Sequence, residues 1–332
     1  MTSKRFFFII FSIAVSAGSL VLILQVVPLG DVIQSMRRAD AGYLLLALIC
    51  VALALLTRGI RWWDLLNRRL SLLDATHMVN VMFLGNQLPL RMGEVARGVL
   101  ATRRGVPLVT SGTSILVERL IDVLVLVLLI AATVNVIPSA ASDLTDSAPL
   151  LGLLALIGFL MLLSFAHAPG FAFRLLDWLL KAAPVLERLP LRTMLSHILD
   201  GVRPLTNLRT LAMTAIWTSL AWGCAFATFY FAHLALGIRV DYTISVPLGI
   251  ALSALSIAFP VSIAALGPFE VAILVSGRVA GMSDVEALAL GFLLHGITVC
   301  SYIVWGTIGL LALGASPGTA FSAGGSKGSD SS

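Results

Sequence analysis

Apolar residues along this chain fall into long runs that are broken at a few polar positions. A helix needs about 20 apolar residues to cross the hydrocarbon core of a bilayer. The hydropathy pattern therefore predicts about six full transmembrane helices, at residues 6–27, 43–56 with a continuation to 62, 106–137, 150–166, 211–236 and 287–313.

Two further apolar blocks, 77–90 and 244–280, are interrupted by proline, glycine and a carboxylate. Such paired interruptions in corresponding halves of a membrane protein point to a transporter's binding site near the bilayer midplane. We predict that each block is a re-entrant helical hairpin. The tips of the two hairpins are predicted to contain Asn86, Pro89 and Gly93 in the first and Pro260, Gly267 and Pro268 in the second.

The basic residues predict the orientation, because Lys and Arg collect in cytoplasmic loops near helix ends. Lys4 and Arg5 place the N-terminus inside, and basic residues on both flanks of the first block make its hairpin enter from the cytoplasm. The link 138–147 has no basic residue and is expected outside, so the second hairpin enters from the opposite face and the C-terminus returns inside. The halves, about 1–140 and 148–315, then form an inverted-topology repeat. The alternative is that each broken block is two full helices.

Composition fixes the class of protein. With 58% hydrophobic residues, 12% charged residues and a mean hydropathy of +1.00, the chain is a polytopic, all-α membrane protein. Residues 1–315 are expected to form a single transmembrane domain, and the Gly- and Ser-rich tail 316–332 a disordered cytoplasmic segment. The cysteines and histidines are scattered, so no metal site is expected. No catalytic constellation stands out, and no cofactor or nucleic-acid partner is expected, although an intramembrane transferase remains an alternative.

Three charged residues, Glu118, Arg119 and Asp122, lie inside the third long helix. An ionisable side chain at membrane depth costs roughly 2.5 to 3.5 kcal/mol on translocon scales, so it is expected to be paired or to face a cavity. The set has one cation for two anions, and Arg91 or Arg97 is the nearest further cation in sequence. Either an ion-pair network holds the hairpin to this helix, or the set contacts the substrate.

The first hairpin carries Arg91, Glu94 and Arg97 at positions i, i+3 and i+6 of a helical face. Guanidinium groups bind phosphate oxygens in a bidentate manner, so the two arginines suit a lipid phosphate. Snorkelling to the membrane interface is the alternative. Arg58 and Arg61, which lie beside two tryptophans, are interpreted as markers of the cytoplasmic interface.

Glu270 opens the second arm of the second hairpin, where a carboxylate meets the favourable end of the helix dipole. Three roles are open to it: capping the helix, pairing with an arginine of the other half, or binding a proton or cation coupled to transport. Capping is the role that the sequence favours.

The same residues resemble the transmembrane region of the lysylphosphatidylglycerol synthase family, over roughly residues 5 to 315. The resemblance rests on three groups of residues in order: Asn86, Pro89, Arg91, Gly93, Glu94 and Arg97; Glu118, Arg119 and Asp122; and Leu266, Gly267 and Glu270. The family's pattern usually has Gly after the first Pro and a Gly pair before the second Leu-Gly. This chain has Leu90 and Ala264-Ala265 there.

The resemblance implies lipid translocation by a stand-alone, multi-pass protein of the bacterial inner membrane, without synthesis of aminoacylated lipid. The expected cargo is an anionic phospholipid or a polyprenyl-phosphate-linked lipid. Arg91 and Arg97 are expected to hold its headgroup, with Glu94, Glu118, Arg119, Asp122 and Glu270 along the polar track. The alternative is a non-transporting partner of a membrane-bound lipid-modifying or glycosyltransferase enzyme, for example in hopanoid or glycolipid synthesis.

Overall fold

The structure is a computed structural model that describes residues 11–19, 21, 25, 27–88, 92–134, 142–182, 189–258, 262–316, 318 and 320. Within these residues the fold is all-α, as the hydropathy pattern predicts, and contains no strand. The helices are α1 (residues 11–19), α2 (Leu29–Arg37), α3 (Ala41–Leu65), α4 (Leu72–Gly85), α5 (Gly93–Arg103), α6 (Leu108–Val134), α7 (Ser142–His167), α8 (Pro169–Ala182), α9 (Leu191–Val202), α10 (Leu208–Ala235), α11 (Tyr242–Ala258), α12 (Pro268–Val279) and α13 (Asp284–Ala312).

Three of the described helices, α3, α10 and α13, are long and apolar enough to cross a membrane. Their starts follow from side-chain caps, which satisfy backbone N–H groups that a helix N-terminus leaves free. Asp40 accepts hydrogen bonds from the N–H groups of Gly42 and Tyr43 before α3. Asn207 caps α10 in the same way, and Ser283 forms a capping box with Glu286 before α13.

Two other long helices fall outside that set of three. Helix α6 has 27 residues and is long enough to cross a membrane. It is not counted because any 18 consecutive residues of it contain the three charged residues Glu118, Arg119 and Asp122, and a span is allowed at most two. Helix α7 is followed by α8 after a bend of 115°, and this bent pair would be a fourth span if it were counted as one. The chain therefore has three clear candidate spans among the described residues.

Both broken blocks consist of two shorter helices that pack against each other, α4 with α5 and α11 with α12. In the first block the helices approach closely at Gly93, where a Cβ atom would overlap the carbonyl oxygen of Met82. In the second, Ala264, Ala265 and Gly267 have φ angles of 52°, 60° and 92°. The two alanines therefore occupy the left-handed region that favours glycine, at the positions where the family's pattern usually has glycines. The predicted tip residues Pro89 and Pro260 lie outside the described residues.

The long helix that follows each broken block, α6 in the first half and α13 in the second, also packs against the broken block of the other half. Helix α4 packs against α13, and α11 packs against α6. The approach of α13 to α4 depends on two glycines, since a Cβ at Gly306 would overlap Leu84 and one at Gly309 would lie 2.7 Å from the carbonyl oxygen of His77. Helices α3 and α10 pack along each other at the centre of the structure.

The buried apolar residues form three cores: one among α3, α10, α12 and α13, a second around α4 that includes Trp62, Met78 and Leu100, and a third that joins α6 to α7 and α9. Most of the tail 316–332 lies outside the described residues. Ala320, which is described, is buried against the second core.

We expect Gly93→Ala to destabilise the protein, because the added methyl group would force α5 away from the carbonyl oxygen of Met82. Gly98→Ala is the matched control on the same helix: its Cβ would lie 3.7 Å from a Leu108 methyl group, an ordinary contact, and alanine favours a helix over glycine by about 1 kcal/mol. Thermal unfolding in detergent should give a lower midpoint for Gly93→Ala and an unchanged or higher one for Gly98→Ala. Equal midpoints for the two variants would contradict the close packing at Gly93.

Candidate functional site

Arg61 lies at the centre of a buried network of charged side chains. Its Nη1 and Nη2 atoms donate hydrogen bonds of 2.8 and 3.2 Å to the two carboxylate oxygens of Asp122. Nη2 also lies 3.4 Å from Oε1 of Glu118, and Nη1 donates to Oγ1 of Thr218 at 3.2 Å. Because Arg61 is 2% exposed, these contacts join α3 to α6 and α10 away from solvent.

Arg97 makes the second connection in this network. Its Nη2 lies 2.6 Å from Oε2 of Glu118, in a charge contact whose angle is not that of a hydrogen bond. The guanidinium also lies over the ring of Trp62, at 4.6 Å from the ring centroid, a cation–π arrangement that favours a cation removed from water. Arg97 is 1% exposed, so α5 is attached to α6 by a fully buried ion pair.

Arg119 completes the network at its more exposed edge. Its Nε lies 3.0 Å from Oε1 of Glu94, and its Nη1 lies 3.9 Å from Oδ2 of Asp122. The six residues comprise three arginines and three carboxylates, so the network is neutral. The members are Arg61, Glu94, Arg97, Glu118, Arg119 and Asp122.

Five of these six residues were predicted from the sequence as site residues, and the structure brings them together. Arg91, the other predicted arginine, lies outside the described residues. Arg61 was missed, because its position beside two tryptophans indicated the membrane interface. The charge balance gave no signal for it either, because Arg91 already supplied a third cation for Glu94, Glu118 and Asp122 in the predicted set.

In the second half, Glu270 is completely buried and has two partners. One carboxylate oxygen accepts a hydrogen bond of 2.7 Å from the N–H of Gly267, which caps α12. The other lies 2.5 Å from Nδ1 of His295 on α13. Glu270 thus occupies the capping position that the sequence favours, and its side-chain partner is a histidine that sequence reasoning did not select.

The two halves carry equivalent pairs. Glu94 and Glu270 each begin the tripeptide Glu-Val-Ala in the first turns of α5 and α12. Arg119 follows Glu94 by the same 25 positions that separate His295 from Glu270. In each half, a carboxylate after the break therefore contacts a basic residue on the long helix that follows. The same alignment sets Arg97 and Glu118 against the apolar Ile273 and Leu294.

A cavity of about 250 Å³ lies where the two broken blocks meet. Its wall includes Asn86 to Leu88 from the first break and Ser262, Ala264 and Ala265 from the second. The breaks touch each other directly, because the N–H of Ala264 donates a 3.2 Å hydrogen bond to the carbonyl oxygen of Gln87. Helices α3, α4, α10, α11, α12 and α13 supply the rest of the wall. The cavity thus lies between the two halves.

The wall of this cavity is mostly apolar, with a few polar groups. Among the residues described, its charged or titratable side chains are Arg58, His295 and Tyr302. None of the six network residues is part of this wall, and neither is Glu270. The arrangement provides an apolar chamber with a small polar patch, as ligand pockets commonly do.

Comparison with known proteins gives one match. The model of a family described as Lysylphosphatidylglycerol synthase TM region matches residues 9–306. No curated protein and no solved structure matches the chain.

We expect Arg61→Gln to destabilise the protein by about 3 to 5 kcal/mol, because removing one partner of a buried ion network leaves uncompensated charge on the carboxylates. Arg192→Gln is the control: Arg192 pairs with Asp177, and its side chain is 66% exposed, so its loss should cost about 0 to 1 kcal/mol. The measurement is the free energy of unfolding in mixed micelles. A similar loss in both variants would mean that the buried network contributes no more than a surface pair.

Proposed function

This chain belongs to the lysylphosphatidylglycerol synthase TM region family, and on that premise we propose that it moves an anionic lipid between the two leaflets of the membrane. The cargo would be a phospholipid or a polyprenyl-phosphate-linked lipid. The observation that carries the proposal is the cavity between the two broken blocks, whose wall combines polar residues with long apolar helices.

The volume of the cavity indicates which part of a lipid it would hold. At about 250 Å³, it lies just below the range of roughly 300 to 1,000 Å³ that is common for small-molecule pockets. That volume suits a headgroup and not the acyl chains. In the proposed cycle the headgroup passes through the protein while the chains remain in the hydrocarbon of the bilayer.

We further propose that the broken blocks are re-entrant hairpins within an inverted-topology repeat. Helices α4 and α5 have 14 and 11 residues, so at about 1.5 Å per residue they are roughly 21 and 17 Å long, shorter than the roughly 30 Å hydrocarbon core. The equivalent pairs Glu94–Arg119 and Glu270–His295 support two related halves. So does the reciprocal packing of α4 against α13 and of α11 against α6.

The proposed arrangement has six full spans. The basic segments favour a cytoplasmic position for both termini, in a bacterial cell. Two halves of opposite orientation could exchange an inward-open state for an outward-open one around a fixed site. The buried network would hold the first hairpin to α3 and α6 in the conformation described here. Because Arg97 is paired with Glu118 in this conformation, it would reach a headgroup only after that pair opens. The headgroup role of Arg91 stays a prediction.

A transport assay with a blocked cavity tests the proposal. The purified protein is reconstituted in phosphatidylcholine vesicles that contain fluorescent phosphatidylglycerol, and movement between leaflets is followed by quenching with membrane-impermeant dithionite. Ala225→Trp places a bulky ring in the cavity wall. Ala215→Trp is the control, since Ala215 is exposed on the same helix, α10.

We expect the wild type and Ala215→Trp to move the lipid faster than protein-free vesicles. Ala225→Trp should slow the protein-dependent movement by about tenfold or more, which corresponds to ~1.4 kcal/mol in the barrier. Equal rates for the two tryptophan variants would remove the cavity from the transport route. Absence of movement in the wild type would instead favour the alternative of a non-transporting partner of a lipid-modifying enzyme, and co-purification with such an enzyme would then test that alternative.

A further inference from the structure

Arg58 is half-buried and differs from the arginines of the network, because it has no carboxylate partner within 4.0 Å among the described residues. Its Nη1 donates to the carbonyl oxygen of Ala54 at 3.2 Å, and its guanidinium lies 5.7 Å from the ring centroid of Phe83. Its charged neighbours, Asp122, Arg61 and Arg119, belong to the network that is already neutral. The positive charge of Arg58 is therefore left without a counter-charge of its own.

The side chain of Arg58 lines the central cavity, and other side chains of the same wall can donate hydrogen bonds. Ser262 has a buried hydroxyl group with no partner among the described residues. Tyr302 also lines the cavity, and its ring stacks at 4.9 Å on the ring of Phe83, over which Arg58 lies. A buried hydroxyl group without a partner is costly unless a ligand or water satisfies it. These groups can be satisfied by one ligand with several acceptor oxygens.

No carboxylate lines the cavity among the residues described. Glu270 is fully buried and is occupied by Gly267 and His295, and Asp122, the carboxylate that acts on Arg58, is occupied by Arg61. A headgroup with excess positive charge would therefore meet Arg58 without any compensating anion. The charge distribution favours an anionic group and disfavours a lipid whose headgroup carries added amines.

We propose that Arg58 is the anion-binding residue of the cavity and that it holds the phosphate of a net-anionic lipid headgroup, with the hydroxyl groups of Ser262 and Tyr302 as further donors. This assignment rests on the proposed function and deepens it. Guanidinium binds phosphate oxygens through parallel hydrogen bonds, and such charge-assisted bonds are strongest where water is excluded. The acyl chains lie outside the cavity.

Ligand binding tests this assignment without requiring transport. The protein in detergent is titrated with short-chain dihexanoylphosphatidylglycerol, with its lysyl ester and with inorganic phosphate, and the thermal midpoint is recorded at each concentration. A ligand that binds only the folded state stabilises it by RT ln(1 + [L]/Kd), so the midpoint rises with ligand concentration and rises more for a tighter ligand. The variants are Arg58→Gln, Arg58→Lys, and the control Arg209→Gln, whose side chain is exposed on α10.

We expect phosphatidylglycerol to raise the midpoint of the wild type and of Arg209→Gln, and its lysyl ester to raise it much less. Arg58→Gln should weaken phosphatidylglycerol binding by about tenfold or more, equivalent to ~1.4 kcal/mol, and Arg58→Lys should retain part of it. If Arg58→Gln is less stable without ligand, Arg58→Lys keeps the charge and its intermediate affinity carries the test.

Three results would overturn the assignment: equal shifts with phosphatidylglycerol in Arg58→Gln and the wild type, equal shifts with the lysyl ester and the parent lipid, or a shift with inorganic phosphate that the lipid does not exceed. The last would assign the site to free phosphate. Binding that depends on Arg58, combined with no lipid movement in vesicles, would remove the proposed transport function and keep this site.

Discussion

The structure depends on the pairing of Arg61 with Asp122 and Glu118 inside an apolar bundle. A charge in such surroundings is tolerated only when an opposite charge and hydrogen bonds compensate it. Arg61 comes from α3, its two carboxylate partners from α6, and its hydroxyl partner from α10. The requirement for compensation therefore fixes how three helices from both halves lie relative to one another. Arg97 then attaches the first broken block to the same centre through Glu118.

This arrangement separates two kinds of polar groups. The arginines and carboxylates of the network pair with one another, so they hold the helices in position and are not available to bind a ligand. In the wall of the cavity most polar side chains bond within the protein, and among the described residues Oδ1 of Asn86 and the hydroxyl group of Ser262 lack a partner. A membrane protein that binds a lipid headgroup needs both kinds: a network that holds broken helices in place, and a smaller set of groups that remain available. Arg58 and Arg61 lie one turn apart on α3 and belong to different sets.

The sequence was sufficient for the fold class and for most of the network, because long apolar runs and intramembrane charges have few physical solutions. Glu118, Arg119 and Asp122 required partners, and Arg97 was close enough in sequence to be a candidate. Arg61 could not be selected, because the assignment of an arginine beside tryptophans to the interface depends on its depth, which only packing sets. His295 could not be selected either. Its partner Glu270 lies on another helix, and a single histidine in an apolar run carries no sign of a partner. The left-handed backbone at Ala264 and Ala265 could not be predicted either, because this conformation favours glycine and disfavours residues with a Cβ atom.

Equivalent positions in the two halves carry different side chains, and this difference affects how firmly each broken block is held to the long helix that follows it. Helix α5 is held to α6 by the ion pair of Arg97 and Glu118. At the two aligned positions, α12 and α13 carry the apolar residues Ile273 and Leu294. In a buried ion pair each charge compensates the other, so a displacement of a few ångströms leaves two buried ions without a close partner. Apolar contacts lose energy gradually as area is uncovered, and they permit sliding. The first broken block is therefore joined to α6 by two charged contacts, Glu94–Arg119 and Arg97–Glu118, whereas the second is joined to α13 by one, Glu270–His295, so the first block resists displacement more strongly.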